Sequence, residues 1–256
     1  MIRNTMIRRI QLAPIILALG WVSGSAHAAL QGRDLNGSAG SFEAYFDTDL
    51  DITWLADANY AKTSGYDADG RMDWAAANIW AASLSFTDGV NIYDNWRLPT
   101  VKPVNGASFN YSASYNGSTD YGYNISEQGT AYAGSTGSEM AHLFYNTLNN
   151  KGYCDPALST ASTCSGSQSG WGLTNTGPFT NLQAENYWSA TSVPSDPIHA
   201  WDFAFRYGLQ GSDRKDFGHY ALAVSPGDIA AVPEAQTYAL MLAGLGLIGW
   251  RARRRG

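Results

Sequence analysis

The chain has 256 residues, of which 45% are hydrophobic, 13% aromatic and 15% charged. Nine of its 16 basic and 21 of its 22 acidic residues lie between positions 29 and 232, so this segment has a net charge of −12. Such a field repels nucleic acid and anionic membranes and attracts cations. We therefore expect no nucleic-acid partner.

The first 28 residues have the layout of a secretory signal peptide. Basic residues at the start precede an apolar run from Ile10 to Val22, and small residues end in Ala26-His27-Ala28. This pattern predicts cleavage after Ala28 and export through the inner membrane.

Residues 29–231 are enough for one extracytoplasmic domain. Two β-prone runs, 42–47 and 50–55, predict a hairpin near its start. The alanine-rich stretch from Asp73 to Leu84 has helical spacing of apolar residues, with Asp73 as the N-cap. A second helix is predicted after Ser138, which presents Met140, Leu143, Phe144 and Leu148 on one side.

Between the two helices, residues 105–137 are rich in Gly, Ser, Asn and Tyr and predict a long loop or irregular insertion. Its tyrosines, which include Tyr111 and Tyr115, are suited to stacking on sugar rings, because an aromatic face is apolar while the hydroxyl stays hydrated. The alternative is a mobile surface loop with ordinary tyrosines.

The C-terminal third has the pattern of β-strands. Aromatic residues at alternate positions from Trp201 to Tyr207 predict a strand with one buried face, and with Asp202 and Arg206 on the other face. Companion strands are predicted at 186–191 and 220–224, and a turn region at 208–218.

Cys154 and Cys164 both belong to the exported segment, where an even number of cysteines favours a disulfide. A metal site is the alternative, although nine intervening residues do not match the ligand spacing of zinc sites.

Asp67, Asp69 and Asp73 surround Gly70 and offer oxygen ligands that calcium prefers. The spacing does not fit an EF-hand loop, so turn-forming and helix-capping aspartates are the alternative. The sequence indicates no other metal or cofactor.

Trp96 and Arg97, in the segment Asn-Trp-Arg-Leu-Pro-Thr, are further candidates for ligand binding. An aromatic residue and an arginine before a rigid proline suit a core anchor equally well.

The chain's last residues have the organisation of a sorting tail, residues 232–256. The motif Val232-Pro233-Glu234 precedes an apolar segment of sixteen residues, 235–250, which is close to the lower limit for a bilayer span. Four arginines follow and would remain cytoplasmic: Arg251, Arg253, Arg254 and Arg255.

This tail resembles the PEP-CTERM sorting signal of Gram-negative bacteria, although Ala235 replaces the second proline of the motif. The resemblance implies recognition by exosortase, a membrane-embedded protease, and a transient stay in the inner membrane through the C-terminal transmembrane helix. It also implies delivery to the cell surface or to the exopolysaccharide matrix.

The domain resembles the Lcl C-terminal domain family through four segments: 50–55, 95–100, 187–191 and 223–228. The resemblance implies an α+β fold of the C-type-lectin-like kind, with antiparallel strands flanked by two helices. Some members of the family are implicated in glycan binding or adhesion.

Two functions follow as hypotheses. The first is a non-catalytic surface or matrix protein that binds extracellular polysaccharide. The alternative is an extracytoplasmic hydrolase acting on glycans or peptides, for which the sequence offers no nucleophile motif.

Overall fold

A computed structural model describes residues 30–38 and 40–229. The predicted signal peptide and the sorting tail, with its predicted transmembrane helix, lie outside the described residues. Within the described residues, no helix is long and apolar enough to cross a membrane.

The domain is α+β and rich in sheet. Its strands are β1 (Leu30–Arg33), β2 (Ala44–Asp47), β3 (Ile52–Leu55), β4 (Phe86–Thr87), β5 (Ile92–Tyr93), β6 (Ala113–Ser114), β7 (Tyr121–Tyr123), β8 (Asn186–Ser192), β9 (His199–Ala204), β10 (Leu209–Arg214) and β11 (Val224–Pro226). Its helices are α1 (Tyr60–Thr63), α2 (Trp74–Ser83) and α3 (Glu139–His142), and α3 continues into a π-helical turn at Leu143–Thr147.

The strands form two larger sheets and one two-stranded ribbon. The first sheet has the order β1-β2-β3-β11 and is antiparallel throughout. The second has the order β6-β7-β10-β9-β8, in which only β6 and β7 are parallel. The ribbon pairs β4 with β5.

Strands β3 and β8 are buried on both faces. Trp54 and Tyr187 face the core around α3, whereas their chain neighbours Leu55 and Trp188 face the core around α2. Successive side chains of a strand point to opposite faces, so each strand contributes to both cores. The two helices therefore cover opposite sides of the sheets.

The first half of the domain confirms the predicted elements. β2 and β3 form the hairpin, and α2 begins after Asp73, whose side chain accepts a hydrogen bond from the Ala76 amide at 2.8 Å. Ser138 caps α3 in the same way, by accepting from the Ala141 amide. Both caps satisfy amides that the helix leaves without a partner.

The second half differs from prediction in four places. The strand predicted from Trp201 to Tyr207 corresponds to β9, which ends at Ala204, and residues 205–208 form a turn. The predicted turn 208–218 is wrong, because β10 occupies most of it. The predicted strand 220–224 is mostly irregular, and β11 begins only at Val224. Asp202 was expected on an open face but is buried, because α2 and its neighbours cover that face of β9 as well.

The segment 105–137 is irregular, as predicted, but it is built into the domain. It contains β6 and β7, and Asn124, Ile125 and Ser126 at its centre are fully buried. Its polar composition does not signal exposure, since the side chains of Asn124 and Ser126 form hydrogen bonds inside the fold.

Candidate functional site

The most extended aromatic feature of the described surface is a row of five partly exposed rings, which we call the ring belt: Tyr115, Tyr123, Tyr153, Trp171 and Tyr207. Along this row the ring centroids are 5.6, 6.3, 4.9 and 5.9 Å apart. Tyr153, in the middle, is 36% exposed. The spacings are those of rings in contact, so the belt is continuous.

Strand pairing positions one half of the belt. Tyr123 ends β7 and lies opposite Leu209 of β10. Tyr207 lies in the turn that joins β9 to β10, and its carbonyl accepts a hydrogen bond from the Tyr153 amide at 2.9 Å. The turn places Tyr207 beside Tyr153, although the two residues are far apart in sequence.

The predicted disulfide between Cys154 and Cys164 is confirmed, and it supports the other half. It closes the loop 154–164, which directly follows Tyr153, and an isolated β-bridge pairs Cys154 with Ser167. A second isolated β-bridge pairs Lys151 with Gly172, the residue after Trp171. The two bridges bring Tyr153 and Trp171 together.

Buried polar groups fix the belt from below. The Asn124 side-chain amide donates to the carbonyls of Tyr115 and Cys154, at 2.7 and 2.8 Å. The Tyr145 hydroxyl accepts a hydrogen bond from the backbone amide of Asn124 and donates one to the Gly208 carbonyl. Burial raises the pKa of Tyr145 well above its usual value, so the hydroxyl remains a donor at neutral pH.

Glycine is required at the turn beside the belt. Gly208 has φ +66°, and a Cβ there would lie 2.5 Å from the Tyr145 hydroxyl. Only glycine adopts this conformation without a steric cost and leaves room for the buried tyrosine.

The belt combines apolar faces with polar edges. Burial raises the pKa of the Tyr123 phenol, which therefore stays protonated and able to donate. Arg206 is exposed, and its guanidinium lies 5.3 Å from the Tyr207 ring centroid. Rings for stacking, next to hydroxyl and guanidinium donors, match the two kinds of surface of a sugar.

The structure separates the four ligand-binding candidates predicted from sequence. Tyr115 is the first ring of the belt. Tyr111 instead stacks on Trp201, with centroids 5.8 Å apart, and remains 39% exposed. Together with Phe109 it covers Trp201, which is fully buried.

Trp96 and Arg97 have structural contacts. Trp96 is 4% exposed, and its indole N–H donates to the Tyr93 carbonyl. Arg97 donates to both carboxylate oxygens of Glu139, each at 2.8 Å. These contacts match the alternative in which Trp96 and Arg97 anchor the core.

The aspartates considered as calcium ligands accept backbone hydrogen bonds in turns and at the N-terminus of a helix. Asp67 accepts hydrogen bonds from the amides of Asp69 and Gly70, and Asp69 accepts from the Arg71 amide. Asp73 caps α2. No cluster of three or more potential metal ligands occurs among residues 30–38 and 40–229.

Sequence reasoning missed three rings of the belt: Tyr153, Trp171 and Tyr207. Tyr153 and Trp171 lie in segments without periodicity, and the alternating pattern that ends at Tyr207 predicts a strand but not a contact with them. The one usable signal was the disulfide, since Tyr153 directly precedes Cys154 and Trp171 follows Cys164 by seven positions.

A cavity of about 230 Å³ outside the ring belt is relevant to the alternative hypothesis of a hydrolase. Its lining includes His199, Asp196, Ser195 and Ser212. His199 Nδ1 lies 2.8 Å from Asp196, a pairing that resembles part of a catalytic triad. Within the described part of the chain, however, no hydrogen bond joins His199 to either serine.

The comparisons with known proteins identify the tail only. The family model of the PEP-CTERM protein-sorting motif matches residues 231–255. No curated protein and no solved structure matches the chain. The motif implies an exported protein that exosortase processes and that is sorted to the cell envelope.

Proposed function

We propose that this chain is a non-catalytic protein of the cell surface or exopolysaccharide matrix of a Gram-negative bacterium, and that its domain binds extracellular polysaccharide through the ring belt. The observation that carries the proposal is the belt itself. Five rings in contact form a surface much longer than one sugar, and each ring exposes part of its area.

The physical basis is the match between aromatic rings and pyranose sugars. A sugar ring has apolar faces of C–H groups and a periphery of hydroxyls, so it stacks on an aromatic face while its hydroxyls bind polar groups at the edge. The exported segment's net charge of −12 favours a neutral or cationic polymer over an anionic one.

The sorting tail supports the location. A protein that exosortase releases from the inner membrane reaches the envelope, where polysaccharide is present at high local concentration. Many weak stacking contacts along one polymer are effective there, because binding at one ring raises the effective concentration at the next. The C-type-lectin-like fold inferred from the family resemblance is part of the same proposal.

The test is a glycan array probed with the exported protein, followed by affinity measurements on Trp171→Ala and Tyr207→Ala. We expect each substitution to weaken binding about tenfold, since loss of a stacked ring costs roughly 1–1.5 kcal/mol beyond its area. Phe217→Ala removes another exposed ring, 48% exposed and outside the belt, and should leave binding unchanged.

The hydrolase alternative makes a different prediction for the same array. Turnover of a bound glycan or peptide, lost in His199→Ala and retained in Trp171→Ala, would favour the His199 cavity and contradict the non-catalytic proposal. Absence of binding to any glycan would contradict both the belt and its assigned ligand class.

A further inference from the structure

A cleft of about 410 Å³ lies apart from the ring belt and shares no lining residue with it. Its lining is mainly aromatic and apolar, with a few polar groups at the rim. Four rings and two carboxylates of the lining concern the ligand: Phe42, Tyr45, Tyr60, Phe86, Glu43 and Asp57. This volume is within the range of sites for small molecules or for single units of a polymer.

Two pairs of rings line the cleft. Phe42 and Tyr45, at the start of the hairpin, have centroids 6.2 Å apart, and Tyr60 and Phe86 have centroids 5.6 Å apart. Phe42 remains 50% exposed although it packs on backbone: a Cβ at Gly32 would lie 2.3 Å from its ring. Gly32 therefore allows the ring to lie flat on β1, with its other side open.

Two carboxylates, and no basic residue, belong to this lining. Glu43 accepts hydrogen bonds from the Leu35 amide and the Ser41 hydroxyl, both at 2.9 Å. Asp57 accepts from the Asn59 amide at 2.9 Å and from the Asn181 side chain at 3.0 Å. Within the described residues neither carboxylate forms an ion pair, so their charge is fixed in place but not neutralised.

The combination of rings and unneutralised carboxylates selects a ligand class. The face of an aromatic ring carries negative charge and attracts a cation, most strongly when the cation is partly desolvated. A neutral sugar would stack on the rings and donate its hydroxyls to the carboxylates, but it would leave their negative charge uncompensated. A metal ion would compensate the charge but would not use the rings. An ammonium group attached to an apolar body uses both.

We propose that this cleft binds the charged amino group of an amino sugar in a matrix polysaccharide. The sugar ring stacks against the aromatic walls and its ammonium group lies between Glu43 and Asp57. The net charge of −12 in the exported segment adds a long-range attraction for such a polymer. The choice of a polysaccharide rests on the proposed function, whereas the preference for a cation rests on the cleft alone.

The test compares two probes by calorimetry on the exported protein at pH 6, where a sugar amine is charged. One probe is a glucosamine hexamer with free amines, and the other is its N-acetylated counterpart. We expect the free-amine hexamer to bind at least tenfold more tightly, with an affinity that falls as salt is added.

Variants then locate the site. Glu43→Gln with Asp57→Asn keeps one acceptor oxygen on each side chain, removes two charges and should weaken binding of the free-amine hexamer at least tenfold. Asp94→Asn with Asp216→Asn removes two exposed charges outside the cleft and should change the affinity for the free-amine hexamer little. Phe42→Ala should weaken binding, and circular dichroism checks the fold of each variant.

Three results would overturn the proposal: equal affinity for the two hexamers, an unchanged affinity in the cleft double variant, or an equal loss in the two double variants. Failure of the belt is a separate result. Trp171→Ala should weaken binding of neutral glycans about tenfold and preserve the preference of the cleft for the free amine.

Discussion

Asp202 on β9 lies directly opposite Gly211 on β10, where a Cβ would lie 3.0 Å from the Asp202 carboxylate. Burial, together with the charge of Asp213, raises the pKa of Asp202 to about 7, although the hydrogen bond from Asn186 opposes the shift. The unfolded carboxyl has a pKa of about 3.9. The folded state therefore binds more protons between these values, and stability falls as pH rises through this window.

We predict that Asp202→Asn removes most of this dependence. The wild-type free energy of unfolding should fall by on the order of 3 kcal/mol between pH 5 and pH 8, apart from other groups, and the variant should lack this contribution. Urea unfolding of both proteins at pH 5 and pH 8 measures this change in the free energy of unfolding. His219, whose pKa burial lowers, acts in the opposite direction in both proteins, so it cancels in the comparison. Parallel curves would contradict the prediction.

We predict that Glu139→Ala lowers the free energy of unfolding by about 2–3 kcal/mol, because it leaves Arg97 and the Thr100 amide without their shared acceptor. The control is Asp216→Ala, which breaks the exposed ion pair with Arg214 and should cost less than about 1 kcal/mol. Chemical denaturation compares them. Similar losses in both variants would show that the Arg97 pair has no special structural weight.

We predict that Gly152→Ala destabilises the domain by about 1–3 kcal/mol through overpacking. The new methyl group would lie 2.2 Å from the Asn124 side-chain oxygen, and two hydrogen bonds hold Asn124 in place. Gly218→Ala is the matched control, since its nearest neighbour would be 3.7 Å away. Equal melting temperatures of the two variants would refute this reading of Gly152.

We predict that Cys164→Ser lowers stability by about 2–3 kcal/mol, as expected for opening a short loop. It should also weaken glycan binding, because Tyr153 precedes the disulfide-bonded Cys154. Urea unfolding and affinity measurements on the same preparation test the two effects together. A stability loss with intact affinity would show that the belt does not depend on the disulfide.

We predict that replacing Arg251, Arg253, Arg254 and Arg255 by glutamine weakens membrane retention and misplaces the sorting motif. Lysine at the same four positions preserves the charge and should behave as wild type. Cell fractionation, with the intact mass of each product, gives the readout. If the glutamine variant reaches the surface in equal amount and with the same C-terminus as the lysine variant, the arginines have no sorting role.

The sequence predicted those elements whose signals are local. The caps at Asp73 and Ser138, the β2–β3 hairpin and the disulfide each depend on residue types close together in the chain. The tail was recognised because its motif, apolar segment and arginines are contiguous.

Features that depend on tertiary context were not predictable in the same way. β10 contains Gly211 and Asp213, which disfavour strands, and it forms because Gly211 fits against Asp202 and Gln210 donates to the Asp120 carbonyl. The ring belt draws on four separate segments. No periodicity could reveal that Tyr153 and Tyr207 are neighbours.

The disulfide beneath the belt also sets an order of events. In the reducing cytoplasm Cys154 and Cys164 remain thiols, so the loop 154–164 beside Tyr153 closes only after the chain has crossed the membrane. The disulfide-supported half of the belt is therefore complete only on the side of the membrane to which the protein is exported.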